Sequence, residues 1–508
     1  MATSDSTILR SKLSPAKLKL LEERLQHAKQ QREQSLSSSA QRIPRRRDRD
    51  VAPLSFAQQR LWFLDQLQPG SAMYNVPLAL RLTGRLDLAA FEKAISELVR
   101  RHEVLRTTFT AVDGRPAQLI HPPRALDIPL VDLSQQDEQE RERRAQQAAA
   151  EEARRPFDLT AGPLLRVSLL RLAPEEHVCL FTLHHIVSDG WSMGVFVKEV
   201  VALYGAYLEG KPSPLPELEV QYADYSVWQR EWLQGEVLEE QLAYWRGQLD
   251  DAPAVIELPT DRPRPPVQTH RGAHHNFPLS EELTRRLKRL GREEGASLFM
   301  LLLSGWQLLL SRYSNQRDVV VGTPIANRHR SEVEPLIGFF VNTLVLRARI
   351  DGRQSFRELL RQVREVTLGA YAHQDFPFEK LVEELQPERS LSHTPIFQVM
   401  FALQNAPVGE LSLPGLQLRP LGRTGEERSQ FDLALGISES GDKLMCSLGY
   451  NTGLFEAETA RRIAGHFERL LDEAAAAPDL PAAELEMLGE QEREQLRRWG
   501  ANPRPYQT

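Results

Sequence analysis

Residues 184–192 read HHIVSDGWS. A pair of histidines, an aspartate four positions after the second and a glycine directly after it combine a near-neutral base, a carboxylate and an unobstructed stretch of backbone. The residues before them, HVCLFTL, favour a strand, whose side chains alternate between faces. His184 and His185 are therefore expected to point opposite ways, one into the packed interior and one toward a cleft. Asp189-Gly190 is a turn signal and a helical pattern follows it, so Asp189 also has a plain reading as a helix N-cap. A histidine at a strand end is ordinarily a packed residue. Three features favour a site here. The pair faces a loop at the end of a strand, where sites in sheets flanked by helices lie. Asp189 can reach back to fix that loop, and Gly190 allows close approach of a substrate chain or another backbone.

Rival chemistries fit the same residues less well. His-His-x-x-x-Asp offers three metal ligands, but side chains on opposite strand faces do not converge on one ion, and neither HExxH nor a cysteine pair is present. Ser188 and Ser192 lack the GxSxG context of an activated serine. A second pair, His274-His275, is also on a strand pattern, but it is followed by Asn276, Phe277 and Pro278 with no acid or glycine, and is read as structural.

Alternating helix and strand patterns must position these residues. FAQQRLWFLDQL (56–67) and LDLAAFEKAISELVRRH (86–102) read as helices, VPLALRLTG (76–84) and PLLRVSLLRLA (163–173) as strands, and WSMGVFVKEVVALYGAYLEG (191–210) as the helix after the motif. A second cycle starts near Gly272 with GAHHNFPL, a helix from Ser280, an apolar helix over 296–310, and the strands DVVVGTP and VNTLVLRARI. This predicts an α/β or mixed sheet with helices packed on it, in two lobes.

With 508 residues the chain exceeds one ordinary core, and 41% hydrophobic with 26% charged residues is a globular composition. The expected divisions are 1–50, a helix near Leu18–Leu25 and a polar linker; 51–228 and 229–488, the lobes; and 489–508, a connector. Residues 1–50 hold twelve Lys/Arg and six Asp/Glu, a balance of +6, so the rest carries −12 of the formal −6. That basic segment has no aromatic residue for base stacking, which argues against a nucleic-acid partner. The apolar run Ala296–Leu310 is shorter than the roughly 20 residues of a membrane span, and no secretory signal is visible. Cys179 and Cys446 cannot form a disulfide framework, so the cytoplasm is the expected compartment.

HHIVSDGWS resembles the HHxxxDG signature of condensation domains from non-ribosomal peptide synthetases, relatives of chloramphenicol acetyltransferase. The resemblance covers nearly all of residues 51–508, through SFAQQRLWFL from Ser55, RHEVLRTTF from Arg101, YADYSVW from Tyr222, IGFFVNT from Ile337, HQDFPFE from His373 and ERSLSHTPIFQVMF from Glu388. It implies two acetyltransferase-like lobes in a V-shaped pseudo-dimer with a central tunnel. Donor and acceptor carrier proteins would dock at its ends, presenting substrates on 4′-phosphopantetheine arms. The product would be an amide, with no metal and no directly bound cofactor. The resemblance places His184, His185, Asp189 and Gly190 in the catalytic motif, with Arg106, Asn342, Ser188 and Trp191 in support. Within it, His185 accepts a proton from the attacking amine or holds that amine in line; Asp189 is salt-bridged to Arg106, chosen over Arg101; Gly190 offers its amide near the oxyanion; and Asn342 hydrogen-bonds an intermediate. Trp62, Tyr222, Trp228 and Phe340 are read as packing, and Arg60 and Asp375 as buried ion-pair or capping groups. Where the family often has Arg-Asp, this chain has Arg389-Ser390, which weakens a salt bridge there.

Heterocyclization relatives carry aspartates in place of the histidines, and epimerization relatives need a glutamate motif absent here. Ser188 resembles the subclass joining two L-residues. Met1 lies only fifty residues before the body, so the donor is expected from an upstream synthase in trans. The alternatives are a starter domain taking a fatty acyl thioester such as an acyl-CoA, and a catalytically silent carrier-recruitment module. REQLRRWGANPRPY resembles a connector into an adenylation domain.

Overall fold

Strands and helices form where the sequence periods require them, and the structure, a computed structural model, describes residues 42–387, 390–404, 412–421 and 428–500. The expected N-terminal helix, Arg389 and the end of the connector lie outside them. Contacts divide the chain after Arg46.

The first half runs β1 (Val51–Pro53), α1 (Phe56–Leu67), β2 (Asn75–Gly84), α2 (Leu88–Arg101), β3 (Thr107–Val112), β4 (Arg115–Ile120), β5 (Leu130–Asp132), α3 (Glu138–Arg154), β6 (Leu165–Ala173), β7 (Glu176–His184), α4 (Gly190–Leu208) and α5 (Tyr222–Trp232). It continues with α6 (Gly235–Leu249), β8 (Gly272–Leu279), α7 (Glu281–Glu293), α8 (Leu298–Ser314), β9 (Asp318–Ile325), β10 (Asn342–Arg349), α9 (Phe356–Ala372), α10 (Phe378–Leu385) and β11 (Val399–Gln404). The last elements are β12 (Ser412–Leu413), β13 (Leu416–Pro420), β14 (Leu433–Ser440), β15 (Lys443–Asn451), α11 (Ala457–Ala476) and α12 (Glu490–Gly500).

Two six-stranded sheets dominate, ordered β12-β13-β2-β7-β6-β5 and β10-β9-β11-β14-β15-β8, beside a small β1-β4-β3 sheet. β7 is buried along its length from His177 to His184, which is why its sequence is nearly continuous in apolar residues instead of alternating. α2 and α4 pack together on this sheet. Helix starts are set locally: Ser55 and Gln58 form a capping box on α1, and Asp87 accepts from Ala90 N–H at 2.9 Å on α2. α8 is buried through its whole middle, Met300 to Leu310, as its composition implies.

The two lobes are expected to divide at 228/229. That boundary falls inside α5, and β12–β13, from the second half, completes the edge of the first sheet by pairing Leu416–Pro420 with Gly84–Leu80. Gly84 is required there, because a Cβ would lie 2.3 Å from Gly415 O and its φ is +126°. The Pro414-Gly415 turn, with Gly415 at φ +75°, was the visible hairpin signal for this crossing strand pair. Among the described residues no single helix is long and apolar enough to cross a membrane.

Candidate active site

β7 ends at His184, a short 3-10 turn spans His185–Val187, and Asp189 caps α4. The change from strand to turn sends the two imidazoles to different neighbours. His184 packs against Tyr74 and Phe157, with ring centroids at 6.3 and 5.9 Å, and its Nδ1 accepts from Ile186 N–H at 3.2 Å. Burial pushes its pKa down to about 3, helped by the neighbouring His185 and the Arg166 charge. A ring so held is neutral at working pH, with its proton on Nε2, and its Nδ1 bond to Ile186 N–H shapes the turn.

A pH dependence of stability follows. The unfolded chain protonates this histidine below about 6.5, whereas the folded chain resists protonation until about pH 3. Stability is therefore retained above pH 6.5 and lost as pH falls below it, by about 2 kcal/mol from this group on reaching pH 5. His184→Asn, which keeps an acceptor but does not titrate, should reduce the pH 7.5 to 5 difference in urea unfolding free energy by about that amount. An unchanged difference would refute the assignment.

His185 is held differently. Its N–H donates to Tyr74 O at 2.8 Å, and its Nδ1 lies 2.7 Å from Ser188 O. A carbonyl can only accept, so Nδ1 carries the proton and Nε2 presents a lone pair. The half-buried ring stands edge-on to Phe339, with centroids 4.8 Å apart. Burial lowers its pKa, opposed by the Asp189 carboxylate and assisted by the Arg60 charge. The result is a neutral base with a fixed tautomer.

Asp189 is committed to structure. Oδ1 accepts from Ser192 N–H at 2.8 Å and lies 2.7 Å from Ser192 Oγ, while Oδ2 accepts from Phe340 N–H at 2.9 Å. Its ion-pair partner is Arg328, at 3.2 Å. The expected pairing with Arg106 is therefore corrected: Arg106 donates to His121 O and pairs with Glu103 at 3.8 Å, and Arg101 pairs with Glu199. Arg328 also donates to Val333 O at 2.8 Å, Leu336 O at 2.6 Å and Ser192 Oγ at 2.8 Å, and lies over the Phe340 ring at 4.2 Å. A buried guanidinium thus ties the first turn of α4 to the 333–340 segment of the second half.

Gly190 opens α4 and is exposed; a Cβ there would meet nothing within 4 Å, so the space in front of it is open. Its N–H, at the first helical position, has no intrahelical acceptor. Ser188 is buried and serves through its carbonyl on His185, with Oγ 3.7 Å from Met193 Sδ. Trp191 Nε1 donates to Glu334 O at 3.0 Å, a further link between halves.

Asn342 is engaged by backbone groups on both ends of its amide. Nδ2 donates to Gln374 O and Phe376 O, both at 2.8 Å, and Oδ1 accepts from Thr343 N–H at 2.8 Å and Phe378 N–H at 3.0 Å. With both amide protons and two acceptor positions occupied, it pins the 374–378 segment to β10. Tyr222 is packing with a hydrogen-bonding task, since its hydroxyl donates to Phe339 O at 2.7 Å and lies 2.8 Å from Ser55 Oγ. Arg60 pairs with Glu379 at 3.3 Å but is exposed, not buried as expected, and Asp375 pairs with His329 at 3.1 Å. His274 is exposed beside Ser447, and His275 stacks on Phe277, in the other sheet. Sequence reasoning missed Arg328, Ser192 and Phe339; the run ANRHR, two arginines around a histidine in a loop, was the signal for a distant carboxylate partner.

Two six-stranded sheets of this topology, with a half-buried histidine turn at the end of β7, define an acyltransferase of the chloramphenicol acetyltransferase-like class. A model of the condensation domain family matches residues 48–497, and the chain belongs to that family, whose members form peptide bonds in non-ribosomal peptide synthetases. A linear gramicidin synthase from Brevibacillus parabrevis is 52% identical over 456 residues, 89% of this chain but 6% of that protein. Phosphinothricin tripeptide synthetase PhsC of Streptomyces viridochromogenes is 42% identical over 501 residues, 98% of this chain and 46% of that protein. The chain thus spans less than half the length of either relative. Among solved structures, the X-domain from teicoplanin biosynthesis superposes with TM-score 0.78 at 30% identity, covering 88% of this chain and 99% of that one. The four-domain synthetase AB3403 gives TM-score 0.77 at 26% identity, over 87% of this chain and 34% of that one.

Proposed function

We propose that this chain joins a carrier-bound acyl or peptidyl thioester to the α-amine of a carrier-bound aminoacyl thioester, with both substrates tethered through 4′-phosphopantetheine. The observation that carries this reading is the His185 tautomer, with Nδ1–H held by Ser188 O and Nε2 unprotonated. The acceptor amine, with a pKa of about 7.7–8.0, is partly neutral at pH 7, and a thioester is already activated. Attack forms the C–N bond and a tetrahedral carbon bearing an oxyanion and a cationic nitrogen. Nε2 takes the surplus proton from that nitrogen. Collapse breaks the C–S bond, and the departing thiolate recovers the proton. The Gly190 N–H would donate to the oxyanion. Positioning of two tethered reactants contributes alongside the base.

Ser188 carries the assignment to the subclass joining L-residues. It is buried, so it acts on the shape of the turn and not by touching substrate. An adenylation domain after α12 would load the acceptor carrier, and the cytoplasm is the compartment this reading implies.

Intact-mass measurement of an aminoacyl acceptor carrier tests the proposal. Incubation with a donor carrier bearing an L-configured peptidyl thioester should move the donor's acyl mass onto the acceptor. Transfer from free acyl-CoA alone would select the starter alternative. No transfer from either donor by folded protein would leave the silent recruitment module.

A further inference from the structure

The 337–340 segment is fastened to the first half one residue at a time. Phe340 N–H donates to Asp189 Oδ2 at 2.9 Å, Phe339 O accepts from Tyr222 at 2.7 Å, and Gly338 N–H donates to Ser192 Oγ at 3.0 Å. The segment starts at Ile337, whose N–H donates to His102 Nδ1 at 3.3 Å. Its functional face is the Phe339 ring, which stands against His185.

His102 is the C-cap of α2 and only 1% exposed. Because Ile337 N–H can only donate, Nδ1 has no proton, and Nε2 must carry it toward Glu199 Oε2 at 2.9 Å. Glu199 is on α4, the helix that Asp189 caps, and is gripped from the other side by Arg101 Nε and Nη2, both at 3.1 Å. Burial pushes the His102 pKa down against the pull of Glu199, so the ring stays neutral. Against burial of its own, Glu199 is held below the usual carboxylate range by its bonds to His102 and Arg101. A neutral imidazole with an ionised carboxylate on one nitrogen has a single tautomer, and that tautomer has its acceptor lone pair aimed at the 337 amide.

We propose that His102, oriented by Glu199, is a positioning residue for His185: it fixes Ile337 N–H and through it the Phe339 wall that orients the catalytic imidazole. This rests on the reading of His185 as the base in amide formation, but its test includes a readout that needs no turnover. No other imidazole among the described residues bridges α2, α4 and this segment. The geometry also explains why the His-Glu pair is sealed from substrate: its output is a backbone position, not a proton.

The experiment follows the His185 imidazole by NMR in ring-labelled protein and measures kcat and KM with carrier-loaded substrates. His102→Gln, whose amide can donate to Glu199 and accept from Ile337, should keep the His185 pKa and kcat within about twofold of wild type. His102→Leu should move the His185 pKa toward 6.5 and lower kcat about tenfold at nearly constant KM. Phe339→Ala should give the same pKa shift, and the double variant no further change, because both act on one contact. Should His102→Leu not fold, His102→Asn, too short to span both partners, takes its place. An unchanged His185 titration in a folded Leu or Asn variant, or full additivity with Phe339→Ala, overturns the proposal. If wild type forms no amide at all, the titration arm still decides it, so failure of the functional reading and failure of the positioning role remain distinguishable.

Discussion

Arg328→Met should lower the unfolding free energy by about 3–5 kcal/mol, because it breaks a buried ion pair from one side. The guanidinium satisfies Val333 O, Leu336 O and Ser192 Oγ besides Asp189, and every one of these acceptors is left inside the protein. Asp189 then remains 2% exposed with its cation gone. It keeps Ser192 N–H, Ser192 Oγ and Phe340 N–H, but three neutral donors do not offset the cost of an unpaired interior carboxylate. Asp189→Asn alone should be milder, since an amide still accepts at the N-cap and the remaining charge on Arg328 keeps two carbonyls. The double variant Asp189→Asn with Arg328→Met should be less destabilised than Arg328→Met alone, because no isolated charge remains. Urea unfolding of the three proteins measures this ordering. A loss under about 1 kcal/mol for Arg328→Met, or a double variant worse than the sum of the singles, would sink the account. Activity will also fall in these variants, through movement of the 333–340 segment and not through missing chemistry.

How far the sequence could be read follows from the range of the physics involved. α1 coincides with FAQQRLWFLDQL because a capping box and helical spacing are local, and α8 was recognisable from its length and apolar content. The opposite outlooks of His184 and His185 were likewise legible from strand alternation, although His185 already belongs to the turn. Partners of charged groups were not legible. Asp189 finds Arg328 139 positions away, and the run ANRHR marks a basic loop without saying which carboxylate it meets, whereas Arg106 lies in a conspicuous motif. Asn342 was visible as a polar residue before a strand, but only the arrival of residues 374–378 shows that its amide is fully engaged. The crossing of β13 onto β2 was hidden for the same reason: strand pairing over more than 300 residues has no signature beyond the Pro-Gly turn and Gly84. Which face a side chain presents is set by near neighbours, whereas what it meets is set by the closed fold.

His185→Ala should reduce kcat by about 10²–10⁴ while leaving the fold nearly intact. The side chain is half-buried, its one hydrogen bond among the described residues is to Ser188 O, and its ring stands edge-on to Phe339. Loss of a base and loss of a positioning group can be separated by His185→Asn, whose amide can still donate to Ser188 O but has no basic nitrogen. If proton removal dominates, Asn behaves like Ala; if alignment dominates, Asn recovers most of the rate. The pH profile gives an independent sign. Burial lowers the His185 pKa below 6.5, so the unprotonated ring persists further into acid than a free histidine would. The acid limb of kcat, which reports the bound complex, should therefore fall at a pH below 6.5, and it should vanish in His185→Ala. Free acceptor amine, titrating at about 7.7–8.0, imposes a separate rise in kcat/KM toward alkaline pH that both proteins share. Full activity in folded His185→Ala would remove the imidazole from the reaction and return this turn to the role that His184 already fills.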